Sequence, residues 1–212
     1  MGYRAVIFDL GGVVFDSPLH AIARYERERE LPPGFINRVV ASTAPGGAWS
    51  RLERGELSLD AFYPAFENDC AGAGQRISAR AMMGRIAEAT APRESMLFAI
   101  ARIRERGLRV AALTNNWDNG DASDSHREEL DKHFHVVVES RLEGLRKPDP
   151  EIYRRVCARL EVAAGDAIFL DDIGANLKPA RALGMTTLKV EDPDHALGEL
   201  AGLLGFAITR DT

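Results

Sequence analysis

Apolar positions in this chain fall into short unbroken runs separated by longer stretches with helical spacing. From about Leu97 onward the alternation is regular. A helical stretch from Met96 to Arg106 stops at Gly107 and leads to Val110-Ala111-Ala112-Leu113. A helix-like segment around Ser125 to His133 precedes Val136-Val137-Val138. A helix from Glu151 to Leu160 precedes Ala167 to Leu170, and one from Leu177 to Leu183 precedes Thr186 to Val190. Near the start, Arg4-Ala5-Val6-Ile7-Phe8 has the same unbroken apolar character. Such runs read as strands buried on both faces, and their alternation with helices predicts a parallel α/β sheet with helices on both sides. Residues 16–91 differ. They are helix-rich, punctuated at Pro32-Pro33 and Pro45-Gly46-Gly47, and carry no strand pattern. The expected organisation is an α/β core of residues 1–15 and 92–212 with a helical cap, 16–91, inserted after the first strand. Within the cap, Tyr25 to Glu30 reads as a solvated helix face with an Arg24–Glu28 pair.

The polar residues that interrupt this pattern collect at the predicted C-terminal ends of strands, where open α/β sheets bind ligands. The first run ends in Asp9, followed by Gly11 and Gly12, which permit a tight turn. The second ends in Thr114-Asn115-Asn116. The run Ile168-Phe169-Leu170 ends in the adjacent acids Asp171 and Asp172. Neighbouring carboxylates repel and call for a cation or a lysine close by, although such a pair also suits a helix N-cap. Lys147, in Arg146-Lys147-Pro148-Asp149-Pro150, is held between prolines and can offset the charge of Asp9. Asp9 is a candidate nucleophile toward phosphorus. Asp9 with Asp172 is a candidate Mg²⁺ site, and Thr114 with Asn115 offers donors to phosphate.

Bulk properties narrow the field. A net charge of −5 over 212 residues argues against nucleic acid or an anionic membrane as the main partner. The early apolar run is too short for a leader or a membrane span, and Cys70 and Cys157 cannot make a disulfide framework. A cytoplasmic protein is the expectation. His133 and His135 lie two residues apart without a third ligand to complete a zinc site. Trp49, Phe62, Tyr63 and Phe66 read as cap packing, with one aromatic able to line a substrate entrance. Asn176 and Lys178 follow the acid pair as groups that orient it or satisfy loop carbonyls.

Asp9-Leu10-Gly11-Gly12-Val13, Leu113-Thr114-Asn115, Lys147 and Leu170-Asp171-Asp172 together resemble the four motifs of the haloacid dehalogenase superfamily of hydrolases. LTNNW, ESRLEGLRKPDPEIY and FLDDIGANLKPARALGM resemble the N-terminal phosphatase domain of soluble epoxide hydrolases and the related domain fused to some acyl-CoA dehydrogenases. The resemblance implies a Rossmann-like core with a cap. It implies a small phosphorylated substrate and Asp9 as nucleophile with Lys147 beside it. It places Mg²⁺ on Asp9, the Gly11 carbonyl and Asp172, with Asp171 as a further residue of the metal site. Phosphate is cradled by Thr114, Asn115 and Lys147, and Trp117 lies near the entrance.

One departure from that pattern matters. The second Asp of the phosphatase motif, which in the family protonates the leaving oxygen, is Gly11 here. General acid help is worth about 10²–10⁴ in rate. The gap leaves a substrate with a good leaving group, or a replacement acid such as Asp16 or His20, or a weakened domain that only binds a phosphorylated ligand. A metal-independent hydrolytic dehalogenase also lacks that Asp, but usually has an aromatic residue there.

Overall fold

The computed structural model describes residues 2–88 and 91–210, with the backbone alone over 121–126. Met1, residues 89 and 90, and residues 211 and 212, which the predicted core and cap take in, lie outside the described residues.

Five strands form one parallel sheet: β1 (Ala5–Phe8), β2 (Arg109–Thr114), β3 (Val136–Glu139), β4 (Ala167–Asp171) and β5 (Thr186–Lys189). Their order is β3-β2-β1-β4-β5. Successive side chains of a strand point to opposite faces, so each strand feeds two cores. Val6, Phe8, Val110, Ala112, Ile168 and Leu170 pack on one face, and Ala5, Ile7, Ala111, Leu113 and Phe169 on the other.

Between β1 and β2 come α1 (Pro18–Glu28), α2 (Phe35–Thr43), α3 (Ala48–Glu53), α4 (Leu59–Gly72), α5 (Ala79–Glu88) and α6 (Glu94–Glu105). The first five share a hydrophobic cluster of their own, centred on Tyr25, Ile36, Phe62, Phe66 and Met82. This is the helical cap inserted after the first strand. Trp49 meets Phe62 and Phe66 edge-on at 5.8 and 5.4 Å, as packing inside that cluster requires. The two links between cap and core meet in one antiparallel bridge, Phe15 with Pro92. The Asp16 amide donates to Ala91 O at 3.0 Å and the Arg93 amide to Val14 O at 2.8 Å.

The remaining helices are α7 (Asp121–His133), α8 (Ser140–Glu143), α9 (Pro150–Leu160), α10 (Gly174–Ala182) and α11 (Pro193–Leu204). Helix α6 and helix α11 cover one face of the sheet, and α9 and α10 the other. The sequence pattern passed over α11. Its start signals were nonetheless present: Asp192 caps the helix by accepting from the His195 amide at 2.8 Å, with Pro193 in the first turn.

Several expectations are corrected. Tyr25 and Glu26 are buried rather than solvated. Glu26 accepts from the Gly34 and Ile36 amides at 2.7 and 2.8 Å and so satisfies the start of α2, while Glu28 faces Arg85 at 3.1 Å instead of Arg24. His133 and His135 do not lie on one element. His133 ends α7, and His135 Nδ1 accepts from the Val110 amide at 3.0 Å. Neither Asp171 nor Asp172 caps α10, whose cap position is Ile173.

Candidate active site

The strand order places β1 between β2 and β4, and the chain reverses direction across the sheet between β1 and β4. Ligands in open α/β sheets bind at such a switch point. Asp9 follows β1 directly, and its amide donates to Leu170 O at 2.9 Å. Thr114 closes β2 and Asp171 closes β4. Three of the predicted site segments therefore converge because their strands are neighbours.

Lys147 completes the centre. Its side chain is 1% exposed, with Nζ 2.8 Å from Asp9 Oδ1 and 2.7 Å from Asp171 Oδ2. The Phe169 ring lies 5.6 Å from Nζ and closes the apolar side of the ammonium. Asn115 fixes the lysine's backbone from both sides. Its Oδ1 accepts from the Lys147 amide at 2.8 Å, and its Nδ2 donates to Lys147 O at 3.0 Å. The Asn115 side chain is thus spent on positioning Lys147.

Adjacent acids have separate tasks. Asp171 is fully buried, and both of its oxygens are engaged. Oδ2 takes Lys147, Oδ1 takes the Ile173 amide at 2.8 Å, and Asn176 Nδ2 donates to both at 3.0 and 3.1 Å. Asn176 therefore orients Asp171, whereas Lys178 is exposed on α10. Asp172 faces the cavity. Its Oδ2 accepts from Ser17 Oγ at 3.3 Å, and its Oδ1 is buried with no hydrogen-bond partner among the described residues. An orphaned carboxylate oxygen is costly to bury unless something binds it.

Asp9, Asp171 and Asp172 each offer an oxygen, all within 4.8 Å of one another. Against these three negative charges stands one buried ammonium. Burial, reinforced by the neighbouring Asp171 and Asp172, raises the Asp9 carboxyl well above its usual range despite the opposing pull of Lys147. Burial followed by Asp171 likewise raises Asp172. Burial works against the Lys147 ammonium, but Asp171 and Asp9 outweigh it and hold its pKa up. A hard divalent cation is the partner that such a donor set fits. Gly12 is required here: its φ is +85°, and a Cβ on it would stand 2.1 Å from Asp172 Oδ2.

The site opens into a cavity of about 640 Å³ roofed by the cap. Its floor is polar, with Asp9, Thr114, Asn115, Lys147 and Asp172. Its walls are largely apolar, from Leu19, Ile22, Val40, Ala41, Ile86 and Trp49. Trp117 lines the cavity and meets Trp49 edge-on at 6.0 Å, where core and cap touch. Asp16 lines the cavity and His20 does not. Sequence reasoning missed Glu53. This cap residue is buried, pairs with Arg146 from the core, and accepts from Trp49 Nε1 at 2.9 Å and Asn115 Nδ2 at 3.4 Å. An acid inside a helical segment carries no local sign of such reach. Cys70 and Cys157 are free and buried, and burial pushes their thiols up to about 12 and about 11, so neither is a nucleophile.

An acid held by lysine at a strand switch point, beneath a helical cap, defines a capped α/β hydrolase. The family model for haloacid dehalogenase-like hydrolases matches residues 3–184, and the chain belongs to that family. It is 38% identical over 209 residues to mouse acyl-CoA dehydrogenase family member 10, covering 97% of this chain and 20% of that protein. It is 34% identical over 223 residues to pig bifunctional epoxide hydrolase 2, covering 99% of this chain and 40% of that protein. The chain thus spans less than half the length of either relative. With the sesquiterpene phosphatase astK of Aspergillus oryzae it shares 29% identity, over 96% of this chain and 97% of that one. No described helix is long and apolar enough to cross a membrane.

Proposed function

We propose that the chain is a Mg²⁺-dependent phosphatase that hydrolyses a small organic phosphate through an aspartyl-phosphate on Asp9. The observation that carries this reading is the pairing of Asp9 with buried Lys147 beside the unpartnered oxygen of Asp172. Asp9 Oδ1 is held by Lys147 and by the Leu10 amide at 2.7 Å, which leaves Oδ2 to attack phosphorus. Lys147 orients the nucleophile and places positive charge beside the phosphoryl group. The Thr114 hydroxyl and the backbone amide of Asn115 receive phosphoryl oxygens. Asp9, the Gly11 carbonyl and Asp172 would hold Mg²⁺, which when bound offsets the charge of the phosphate and of the acids. Asp171 anchors Lys147 from behind. The acid cluster favours this reading over a metal-free dehalogenase.

The organic part of the substrate meets apolar cap residues, so we read the substrate as an ester with a largely apolar body. The relative named as a sesquiterpene phosphatase supports that reading. We take residues 16–91 as the unit that sets specificity and 1–15 with 92–212 as the catalytic unit, in a reducing, cytoplasmic setting. The test is phosphate release from apolar monoesters with Mg²⁺ and with chelator. Release that needs the metal is expected; release undiminished by chelator overturns the metal requirement.

A second expectation follows from the raised carboxyls of Asp9 and Asp172. A carboxyl whose pKa is raised by folding binds protons more tightly in the folded state. The metal-free protein therefore loses stability as pH rises from about 3.9, the unfolded value, through the raised folded values. Mg²⁺ takes the place of those protons. Its stabilisation, read as the rise in Tm on adding Mg²⁺, should be larger at pH 8 than at pH 5. An equal or smaller rise at pH 8 would place the ion elsewhere.

A further inference from the structure

The phosphatase reading leaves one question to the cavity, which is what protonates the departing oxygen. Among the described residues five acids line it, and four are spoken for in the geometry. Asp9 is the nucleophile, and Asp172 faces the cation position. Glu53 has one oxygen on Trp49 Nε1 and the other on Arg146 and Asn115. Glu139 has Oε2 on Arg127 at 2.6 Å and Oε1 on Arg141 at 3.3 Å and Asn116 at 2.6 Å. The fifth, Asp16, sits half-exposed in the linker, 3.5 Å from the Arg93 guanidinium. Arg93 also donates to Gly12 O and Val13 O at 2.7 and 2.9 Å, which fixes the guanidinium that Asp16 faces. Among the described residues no histidine, tyrosine or cysteine lines the cavity. Next to the nucleophile stands Gly11, where the Pro18 ring fills the space a side chain would need. A Cβ there would lie 3.2 Å from Pro18 Cδ.

Resting on the phosphatase reading, we propose that the site serves apolar phosphates whose leaving group departs unprotonated, namely aryl, enol or acyl phosphates, rather than esters of aliphatic alcohols. In the first step the P–O bond to Asp9 forms and the P–O bond to the leaving group breaks. The electron pair leaves on a phenolate, enolate or carboxylate oxygen, which takes its proton, if any, from solvent. In the second step water attacks phosphorus, Asp9 departs as carboxylate, and the proton of the water passes to the released phosphate. That step is the same for every substrate. A good leaving group therefore makes it rate-limiting, and the phosphorylated enzyme accumulates.

The test uses the Mg²⁺-loaded chain with matched esters of one apolar body. Naphthyl phosphate and a nitro-substituted aryl phosphate are compared with the phosphate of a decalin alcohol, and Asp9→Asn serves as the blank. Expected is a kcat/KM about 10²–10⁴-fold higher for the aryl esters than for the aliphatic one, the worth of a missing general acid. A pre-steady-state burst of aryl alcohol, one per active site, should accompany it. Asp16→Asn should leave the ratio unchanged. Gly11→Asp combined with Pro18→Ala should raise the aliphatic rate selectively. Aliphatic turnover within about tenfold of aryl overturns the proposal while leaving the phosphatase intact. A selective loss of aliphatic turnover in Asp16→Asn overturns it too, by making Asp16 the acid. No release above the blank from any ester removes the phosphatase reading itself.

Discussion

Asp9→Asn is expected to abolish phosphate release, by at least about 10³-fold, while the fold is kept. The amide preserves the shape of the side chain and still accepts from Lys147 through its oxygen, so the packing around Phe8 and Leu10 need not change. What is lost is the charge and the nucleophilic electron pair that must form the bond to phosphorus. The loss should appear in kcat. Far-UV circular dichroism should overlay, and without metal the melting temperature should not fall, because the substitution removes one of three crowded acids. Turnover within about tenfold of the unaltered chain would show that another group attacks.

Lys147→Met should affect both stability and activity. Nζ is the one ammonium between Asp9 and Asp171, and the side chain is almost wholly buried. Removing one partner of a buried pair leaves the other charge uncompensated, at a cost of about 3–5 kcal/mol. For a chain of this size that corresponds to a drop in Tm of roughly 6–20 °C near neutral pH. The loss should shrink at low pH, where the raised carboxyl of Asp9 takes up a proton and no longer needs a cation. Melts at pH 5 and pH 8 distinguish this from simple cavity formation, which is indifferent to pH. A pH-independent loss would mean that the packing at the end of the side chain, not its charge, is what the site requires. Phosphate release should fall with Asp9 no longer oriented, and added Mg²⁺ should recover stability before it recovers turnover.

Sequence legibility differed sharply between core and cap. The runs ending at Asp9, Thr114 and Asp171 are each a few apolar residues that give way to polar ones, a local pattern that needs no distant partner to read. The helix Pro193–Leu204 had equally local signals at Asp192 and Pro193, and attention to its cap would have found it. The cap's helical nature was visible in its spacing and its prolines. Its detailed use was not: Tyr25 to Glu30 looked solvated because charge dominates it, yet Glu26 is buried as the partner of two backbone amides in the next helix.

Local patterning along the chain specifies a parallel sheet with a helical insert, and it supplies the residue types at the candidate site: a carboxylate, a lysine, a hydroxyl and a pair of acids. Only the tertiary structure decided which member of the pair does what. Two consecutive residues at a strand end point to opposite sides, so Asp171 turns back onto Lys147 and Asn176 while Asp172 turns out to the cavity. Only the folded chain brings Glu53 against Arg146, 93 residues away, and sets the apolar cap wall over the polar floor. Strand formation is governed by neighbours along the chain, whereas burial, ion pairing and the shape of a cavity are set by segments that meet only after folding.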